Sequence, residues 1–330
     1  MSQTKYGVVA VGNALVDVLS QVSDDFLAEQ SQQYGMEKGA MTLIEEVRAV
    51  ELYTQMPKGI ETSGGSAANT MAGYASFGGK GAFIGKVADD ELGKTYKDEI
   101  QSIGVDYNTQ PLIAGASTGR CMILVTPDAQ RTMNTFLGAS VELSPVDVDA
   151  NLITSAQITY LEGYLFDRDL AKQAFISAAE HAHEAGHRIA LTLSDPFCVD
   201  RHRSDFLKLV ENHVDILFAN EEEIKSLFMQ DNFDDAVSAI SDHVEIAAIT
   251  RGEKGAVIIA NGETITIDAE PVDNVIDTTG AGDQFAAGFL YGLTEGKDLK
   301  DCGKLGAIAA AEVISHIGPR PAVKLADLAA

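Results

Sequence analysis

Short apolar runs alternate with segments of helical periodicity along most of this 330-residue chain. The predicted strands cover residues 6–11, 81–87, 158–161, 189–193, 216–219 and 246–250. The predicted helices cover residues 66–77, 90–102, 170–185, 204–212 and 221–228. Such alternation with short connections indicates a parallel sheet with helices on both faces and right-handed crossovers. In sheets of this kind, ligands bind beyond the carboxyl ends of the strands.

Two stretches interrupt this pattern. Residues 17–43 are mixed and polar, and residues 107–137 are strand-like, so we expect both to form a small β-rich lid over the sheet edge. The remaining segments, residues 1–16, 44–106 and 138–330, are predicted to form one large α/β domain. Within it, Asn261-Gly262 between two apolar runs predicts a hairpin over residues 257–267.

The composition restricts the partners of the chain. Its net charge of −25 argues against binding to nucleic acid or to an anionic membrane surface. The N-terminus lacks the pattern of a signal peptide, and no apolar run is long enough to span a bilayer. The three cysteines are far apart and lack metal-binding spacing. We therefore expect a cytoplasmic protein with reduced thiols and small-molecule ligands.

The segment Asp277–Asp283, with the sequence DTTGAGD, precedes an apolar helix. Gly280 and Gly282 fall at the predicted helix N-terminus, where free backbone N–H groups and the helix dipole favour an anion. A plain helix start explains the nearby Asp283 but not the two glycines, which favour close approach of a ligand to the backbone. The turn therefore predicts phosphoryl transfer to a hydroxyl, with Asp283 accepting the hydroxyl proton.

Two further segments carry groups suited to a sugar. Asp17 lies soon after the end of the first predicted strand. Gly64 and Gly65 precede a predicted helix, and Asn69 lies one turn into it. Carboxylate and amide groups can bind vicinal hydroxyls, and paired glycines let a ligand approach the main chain. A purely structural turn at the glycines and a structural role of Asp17 are the alternatives.

The sequence NEEE at residues 220–223 follows another predicted strand. The three acids could simply complement the helix dipole. However, Asn220 and Glu223 lie three residues apart and can face the same crevice. Their oxygens suit Mg²⁺, bound through water.

The segment Thr250–Gly255 ends the next predicted strand and contains Gly252 and Gly255. Glycines at a strand end fit close contact with a nucleotide phosphate or base. They equally fit a plain turn before the hairpin. The motif is thus consistent with nucleotide binding but does not by itself require it.

Taken together, these motifs resemble those of the ribokinase-like (PfkB) carbohydrate kinase family, in particular its adenosine kinase branch. Asp277–Asp283 matches the signature D-T-x-G-A-G-D. Gly64, Gly65 and Asn69 match G-G-x-x-x-N, and residues 220–223 match N-x-x-E. The sequences of segments 12–17, 162–165 and 193–197 resemble the adenosine kinase branch in particular. The likeness covers essentially the whole chain.

The resemblance implies a ribokinase-like three-layer αβα sandwich with a mainly parallel central sheet and a small β-rich lid. The large α/β domain would bind the nucleotide. The implied reaction is Mg²⁺- and ATP-dependent phosphorylation of the 5′-hydroxyl of a nucleoside. Asp283 would be the catalytic base, and the backbone amides of Gly280, Ala281 and Gly282 would form the anion hole. Arg131, in the lid, is expected to contact the transferred phosphate.

The resemblance also assigns the other candidates. The acceptor would be bound by Asn13, Asp17, Gly64, Gly65, Asn69 and Leu165. ATP would be bound by Asn220, Thr250, Gly252, Gly255 and Gly282. Mg²⁺ would be bound, through water, by Asn220 and Glu223. A monovalent cation such as K⁺ would be bound by backbone oxygens of Asp277 and Thr279.

Leu165 departs from the adenosine kinase pattern, since that branch often places an aromatic residue there to stack on the nucleobase. A nucleoside, with adenosine first, and a free sugar such as ribose or fructose therefore both stay open as acceptors. A third alternative is a binding protein that has lost catalysis, which the intact Asp283, Asn220 and Glu223 argue against. The resemblance allows a monomer or a homodimer.

Overall fold

The computed structural model describes residues 4–128 and 130–329. The strands, in chain order, are β1 (Tyr6–Val11), β2 (Leu15–Gln21), β3 (Met41–Leu43), β4 (Ile60–Gly64), β5 (Gly81–Ile84), β6 (Val105–Tyr107), β7 (Gly119–Val125), β8 (Arg131–Phe136), β9 (Ala156–Glu162), β10 (Arg188–Thr192), β11 (Ile216–Asn220), β12 (Ile246–Thr250), β13 (Ala256–Ala260) and β14 (Glu263–Ile267). The α-helices are α1 (Asp24–Tyr34), α2 (Glu46–Gln55), α3 (Ser66–Ser76), α4 (Glu91–Ser102), α5 (Ala150–Ile153), α6 (Asp169–Glu184), α7 (Pro196–His213), α8 (Glu221–Phe228), α9 (Phe233–Ile240), α10 (Ala281–Thr294), α11 (Leu299–Ile314) and α12 (Leu325–Leu328). Short 3₁₀ helices cover Gly138–Glu142, Pro145–Asp147, Gly163–Asp167 and Gly252–Lys254.

The larger sheet has the strand order β14-β13-β12-β11-β10-β9-β1-β5-β6. All neighbours from β12 to β6 pair in parallel, and β13 and β14 add an antiparallel edge. The predicted hairpin is confirmed, because Asn261 and Gly262 both have positive φ, 52° and 75°, as a tight turn between twisted strands requires. The mainly parallel sheet with helices on both faces confirms the predicted fold class.

The smaller sheet has the strand order β3-β8-β7-β2-β4 and forms the lid. Ile60–Gly64, which the sequence prediction placed in the large domain, pairs antiparallel with β2 in this sheet. The strand is short and largely polar, so its pattern gave no strand signal. The predicted lid segment 17–43 also contains α1, which Ser23 caps at its start and Gly35 ends in the left-handed conformation. Residues 1–3, 129 and 330 of the predicted segments lie outside the described residues.

The alternation of β1 distributes its side chains between two apolar cores. Val8 and Ala10 pack in one core with α3, α4, α10 and α11, while Val9 and Val11 pack in the other with α6, α7, α8 and α9. The central sheet is thus buried on both faces, as expected of a parallel sheet in a three-layer sandwich. No helix of the described residues is long and apolar enough to cross a membrane.

The helix predicted at residues 204–212 begins eight residues earlier in the structure, at Pro196. Asp195 caps it by accepting the N–H groups of Phe197 and Cys198, and Pro196 occupies the first turn, where its missing N–H costs nothing. The helix is kinked at His202. This early start brings the first turn of α7 to the carboxyl end of β10, where a ligand is expected to bind.

Helices α10 and α11 pack so closely at Gly288 that no side chain fits. A Cβ atom there would lie 2.4 Å from the carbonyl oxygen of Leu305. We therefore expect Gly288→Val to lower the free energy of unfolding by about 1–3 kcal/mol or more, as overpacking of a core does. Chemical denaturation measures this change. The exposed α11 substitution Lys300→Ala is the control, and equal stability of both variants would contradict the packing argument.

Candidate active site

The turn Asp277–Gly280 is shaped by one carboxylate. Asp277 accepts hydrogen bonds from the Thr279 N–H at 3.1 Å, the Thr279 hydroxyl at 2.7 Å and the Gly318 N–H at 2.9 Å. Burial acts to raise the pKa of Asp277, but these bonds and the nearby Arg131 hold it below its usual value. The carboxylate is therefore charged and fixes the entry into α10.

Helix α10 begins with backbone groups that face the cleft. Gly280 has φ +80° and precedes the helix, and a Cβ there would lie 2.6 Å from Pro319 O, so only glycine fits. The first-turn N–H groups of a helix have no acceptor within it, and at Gly282 the space beside the backbone is open. The N–H of Ala281 already donates to Thr278 O at 3.2 Å. Of the predicted anion-hole residues Gly280, Ala281 and Gly282, Ala281 therefore has an N–H group that already has an acceptor in the protein.

Asp283 lies in the first turn of α10, where Ser66 donates a hydrogen bond to its Oδ1 at 2.6 Å. Burial raises the pKa of Asp283 to about 7 from its usual 3.8, and the charges of Glu162 and Glu223 add to this, against the hydrogen bonds of Ser66 and Asn69. A carboxylate with this pKa can take up a proton near neutral pH, as a general base must.

Glu162, at the carboxyl end of β9, is a buried residue that the sequence analysis did not single out. It accepts the Asn13 amide at 2.7 Å and the Ala67 N–H at 2.8 Å. Burial raises its pKa. The other amide atom of Asn13, Oδ1, accepts the Ser140 hydroxyl at 2.9 Å. Asn13 thus lines the cleft, but its side chain already has protein partners at both ends.

The two glycines before α3 have different roles. Gly65 lines the cleft with φ +101°, and a Cβ there would lie 2.1 Å from Asn13 O. Gly64 does not line the cleft, because the space beside it is filled by the carboxylate of Asp17, 2.4 Å from a built Cβ. The position of Gly64 therefore does not support its predicted contact with the acceptor. Residue 64 is glycine because a side chain there would collide with the carboxylate of Asp17.

Asp17 and Asn69 both line the cleft, and Arg320 acts on both of them. Burial raises the pKa of Asp17 to about 6, although the charges of Arg320 and Arg131 oppose this. Asn69, in the first turn of α3, accepts a hydrogen bond from Arg320 at 3.0 Å. A carboxylate and an amide on one wall are able to bind two adjacent hydroxyls of a ligand.

Asn220 and Glu223 form a closed capping box at the start of α8. The Asn220 amide donates to Glu223 Oε1 at 2.6 Å, the Asn220 N–H donates to Glu223 Oε2 at 2.9 Å, and the Glu223 N–H donates to Asn220 Oδ1 at 2.8 Å. Burial raises the pKa of Glu223 to about 7. Both residues line the cleft, and their oxygens fit a hard cation through water rather than directly. Among the described residues there is no cluster of three or more His, Cys, Asp or Glu placed to hold a metal ion.

Arg131 and Asp277 form an ion pair of 2.7 Å that is about nine-tenths buried. Arg131 belongs to β8 of the lid, so the pair joins the lid to the turn before α10. The two side-chain oxygens of Asp277 already bind Thr279, Gly318 and Arg131, and the hydroxyl of Thr279 already donates to Asp277. A cation at these residues would therefore have to bind their backbone oxygens, as the resemblance implies.

Thr250 lines the cleft, whereas Gly252 and Gly255 do not. Both glycines have positive φ, and a Cβ on Gly255 would lie 2.0 Å from Ile267 O of the neighbouring strand. The sequence prediction that they contact the nucleotide is thus not supported by their position. They shape the turn into β13, which was the alternative.

The cleft has a volume of about 1030 Å³ and lies between the carboxyl edge of the large sheet and the lid. Tyr164 and Phe197, 36% and 71% exposed, line it with aromatic side chains. Leu165 does not line it, because its side chain is 2% exposed and packs in the core with α6 and α7. The predicted contact of Leu165 with the ligand is thus not supported by its position, and within the 3₁₀ turn that starts at Gly163 it is Tyr164 that lines the cleft.

The chain resembles known kinases both in sequence and in fold. Residues 40–325 match the profile of the pfkB family carbohydrate kinases. The chain belongs to this family. A probable sugar kinase of Rhizobium etli CFN 42 is 48% identical, with a TM-score of 0.90, over 99% of this chain and 98% of that one. The adenosine kinase of Sinorhizobium meliloti is 47% identical, with a TM-score of 0.89, over 98% of both chains. The adenosine kinase of Saccharomyces cerevisiae is 29% identical over 94% of this chain and 96% of its own.

This pfkB kinase is a phosphotransferase that acts on an alcohol group. The structure brings most of the predicted residues to one cleft, and it adds four that the sequence analysis did not assign: Ser66, Glu162, Tyr164 and Phe197. It also adds Arg320, which contacts Asn69 without lining the cleft itself. Glu162 and the two aromatic residues follow strand ends, which was the available signal. Arg320 follows no motif, so only the fold reveals it.

We expect the buried charge of Asp283 to lower the stability of the folded enzyme at neutral and alkaline pH. Its pKa is raised to about 7, so the folded state disfavours the ionised form. The destabilisation is absent below the usual pKa of 3.8 and fully present above pH 7. Asp283→Asn should therefore raise the melting temperature relative to the wild type at pH 8, and less so at pH 5.

Thermal unfolding followed by circular dichroism at the two pH values measures this difference. The exposed substitution Asp242→Asn, in a surface turn, is the control and should show no such pH dependence. If the wild type is as stable as Asp283→Asn at pH 8, the ionised carboxylate of Asp283 does not destabilise the folded state.

Proposed function

We propose that this enzyme transfers the γ-phosphoryl group of ATP to the 5′-hydroxyl of a nucleoside, with adenosine as the first candidate and AMP as the product. The observation that carries the proposal is Asp283. It is a carboxylate with a pKa of about 7 at the N-terminus of α10, in the middle of a cleft with a polar wall and an aromatic wall.

The proposed chemistry follows from the charges around this carboxylate. The acceptor hydroxyl attacks the γ-phosphorus and passes its proton to Asp283, while the phosphorus–oxygen bond to ADP breaks. The N–H groups around Gly280 and Gly282 stabilise the negative charge on the transferred group. Arg131 stands on the lid side of the same turn, so it can contact this group if it leaves Asp277.

The residues at the start of α8 fit a magnesium ion that arrives with ATP. Glu223 and Asn220 would hold its water ligands, since their oxygens are committed to each other and offer only outer contacts. The ion would neutralise charge on the phosphates. A K⁺ ion at the backbone oxygens of Asp277 and Thr279 stays part of the proposal, as do cytoplasmic location and a monomeric or homodimeric state.

The acceptor end of the cleft favours a nucleoside over a free sugar. Asp17 and Asn69 line the cleft and could bind the two ribose hydroxyls, and Tyr164 and Phe197 line it with rings on which a base could stack. The lid adds an apolar lining, from Leu15, Met41, Leu43, Ile123, Met133 and Leu137. A free sugar would leave the aromatic and apolar part of the cleft uncovered.

The comparisons support the same order of preference. The Sinorhizobium meliloti protein, 47% identical, is an adenosine kinase, as is the more distant yeast protein. The Rhizobium etli protein at 48% identity is described as a probable sugar kinase, and it keeps a free sugar such as ribose or fructose as the second candidate. Position 165, the one departure from the adenosine kinase pattern, lies in the core and does not oppose an adenine pocket.

Release of ADP from Mg-ATP, measured with the purified enzyme and a panel of acceptors, tests the proposal. The panel contains adenosine, inosine, guanosine, cytidine, ribose and fructose. We expect selective turnover of a purine nucleoside, adenosine first. Turnover of ribose or fructose without turnover of any nucleoside would contradict the acceptor assignment while leaving the kinase chemistry in place.

The role of Asp283 has a separate test. Asp283→Asn should lower kcat by about 10²–10⁴-fold, the usual contribution of a positioned base, while ATP still binds. In the wild type, kcat/KM should fall as the pH drops below about 7, because protonated Asp283 cannot accept a proton. Asp242→Asn again serves as the control. A near-normal kcat in Asp283→Asn would remove this residue as the base.

Phe197→Ala tests the stacking wall. The loss of one base–aromatic contact should raise the KM for the nucleoside about tenfold or more, since such contacts are worth about 1–3 kcal/mol. The KM for ATP should change little. Phe233→Leu, on α9 outside the cleft, is the control. An unchanged nucleoside KM in Phe197→Ala would move the base to another part of the cleft.

A further inference from the structure

Arg320 lies beneath the acceptor wall, in the segment that follows α11. Its Nε donates to Asn69 Oδ1 at 3.0 Å, and its Nη1 donates to Ser63 Oγ at 2.9 Å. Burial lowers the pKa of this guanidinium, and the charges of Asp17 and Glu99 act in the opposite direction. A half-buried arginine after α11 thus contacts both β4, through Ser63, and α3, through Asn69.

The contact with Asn69 decides which way its amide points. A guanidinium has five N–H donors and no acceptor, so the amide group must turn its oxygen toward Arg320. The NH₂ group of Asn69 is then directed away from Arg320, and it reaches the side of Asp283, whose pKa it helps to lower. An acceptor hydroxyl in the cleft therefore meets a donor at Asn69.

The backbone of Asn69 is held by the same segment. Gln284 donates from one Nε2 to Asn69 O at 2.9 Å and to Pro319 O at 3.0 Å. Pro319 also packs against Gly280. The chain around residues 318–320 therefore links the acceptor wall to the turn that begins α10, and Arg320 is its contact with the wall.

The charge of Arg320 also acts on the carboxylate of Asp17. Its Nη2 is buried and has no hydrogen-bond partner among the described residues. The groups that act on Asp17 are Arg320, Arg131 from the lid and Glu99 from α4, with the thiol of Cys121 close by. Two cations against one further carboxylate favour the ionised form of Asp17, which is the form that accepts hydroxyl hydrogen bonds.

We propose that Arg320 is a positioning residue for the acceptor: it orients the Asn69 amide so that its NH₂ group faces the cleft, and its charge supports Asp17. The inference rests on the proposed function, because it assigns the acceptor wall of that same site. Arg320 forms its hydrogen bonds with Asn69 and Ser63, and it does not line the cleft with the proposed nucleotide residues at β11 and β12. Its loss should therefore separate acceptor binding from ATP binding.

The test is steady-state kinetics of Arg320→Gln and Arg320→Lys with the acceptor that the wild type turns over best. We expect the acceptor KM to rise about tenfold to a hundredfold in Arg320→Gln, as for the loss of a charge-assisted hydrogen bond. The KM for ATP should change less than about threefold. Arg320→Lys keeps the charge but loses the planar guanidinium that donates to Asn69 and Ser63 at once. Its acceptor KM should therefore lie between those of Arg320→Gln and the wild type.

The control is Arg188→Lys, at the opposite end of the sheet, where Arg188 pairs with Glu245 at 3.7 Å. It should leave both KM values unchanged. If Arg320→Gln does not fold, as thermal unfolding would show, Arg320→Lys retains the buried charge and carries the same comparison of the two KM values.

A double-mutant cycle with Asn69→Ala tests whether Arg320 acts through the amide. In the Asn69→Ala background, Arg320→Gln should raise the acceptor KM clearly less than in the wild type, since there is no amide left to orient and only the charge of Arg320 near Asp17 is lost. Full, independent effects of the two substitutions would overturn the inference. So would an unchanged acceptor KM in Arg320→Gln, or equal rises for acceptor and ATP.

These outcomes are distinct from a failure of the proposed function. If the active acceptor is a free sugar, the nucleoside assignment fails, yet the KM comparison for Arg320 holds with that sugar. If the wild type turns over no acceptor, the proposed function fails and the inference fails with it. If the wild type is fully active and Arg320→Gln leaves the acceptor KM unchanged, only the inference about Arg320 is overturned.

Discussion

The carboxylate of Asp277 is the interaction on which the rest of the site depends. It joins three parts of the chain: the turn before α10 through Thr279, the C-terminal segment through the Gly318 N–H, and the lid through Arg131. Each of these contacts is local, but together they determine where the N-terminus of α10 points. The N–H groups of that helix end can bind an anion only because its position is fixed beforehand.

Around this helix end the structure concentrates buried acids. Asp17, Glu162, Glu223 and Asp283 all have pKa values raised by burial. In a protein of net charge −25, such a group of acids lowers stability unless a cationic ligand or a proton is present. The arrangement fits the proposed reaction, in which a magnesium ion would bind near Glu223 and a proton would pass to Asp283 in each turnover. The proposed reaction would thus account for the cost in stability.

The sequence was sufficient for the architecture and for most of the catalytic turn. Alternating strands and helices predicted the parallel sheet, and D-T-x-G-A-G-D placed Asp283 at a helix start. What it could not supply was the direction of side chains at turns. Leu165 and Tyr164 are neighbours, and only the 3₁₀ turn after β9 decides which of them enters the cleft.

The same limit explains the other differences. Gly64, Gly252 and Gly255 are glycines because other atoms of the protein occupy the space beside them or because the backbone turns there, and a motif does not distinguish this from ligand approach. Ile60–Gly64 is too short and polar to be recognised as a strand until β2 pairs with it. Arg320 reaches Asn69 across 251 positions of sequence, a contact that no local pattern contains.

The shortest of the connections between the two sheets consists of Gly12, Asn13 and Ala14, since β1 ends at Val11 and β2 begins at Leu15. This short hinge is also part of the acceptor wall, because Asn13 lines the cleft and binds Glu162. Any rotation of the lid about it must therefore turn Asn13 relative to β9. A ligand that contacts Asn13 would in consequence act directly on the connection about which the lid would turn.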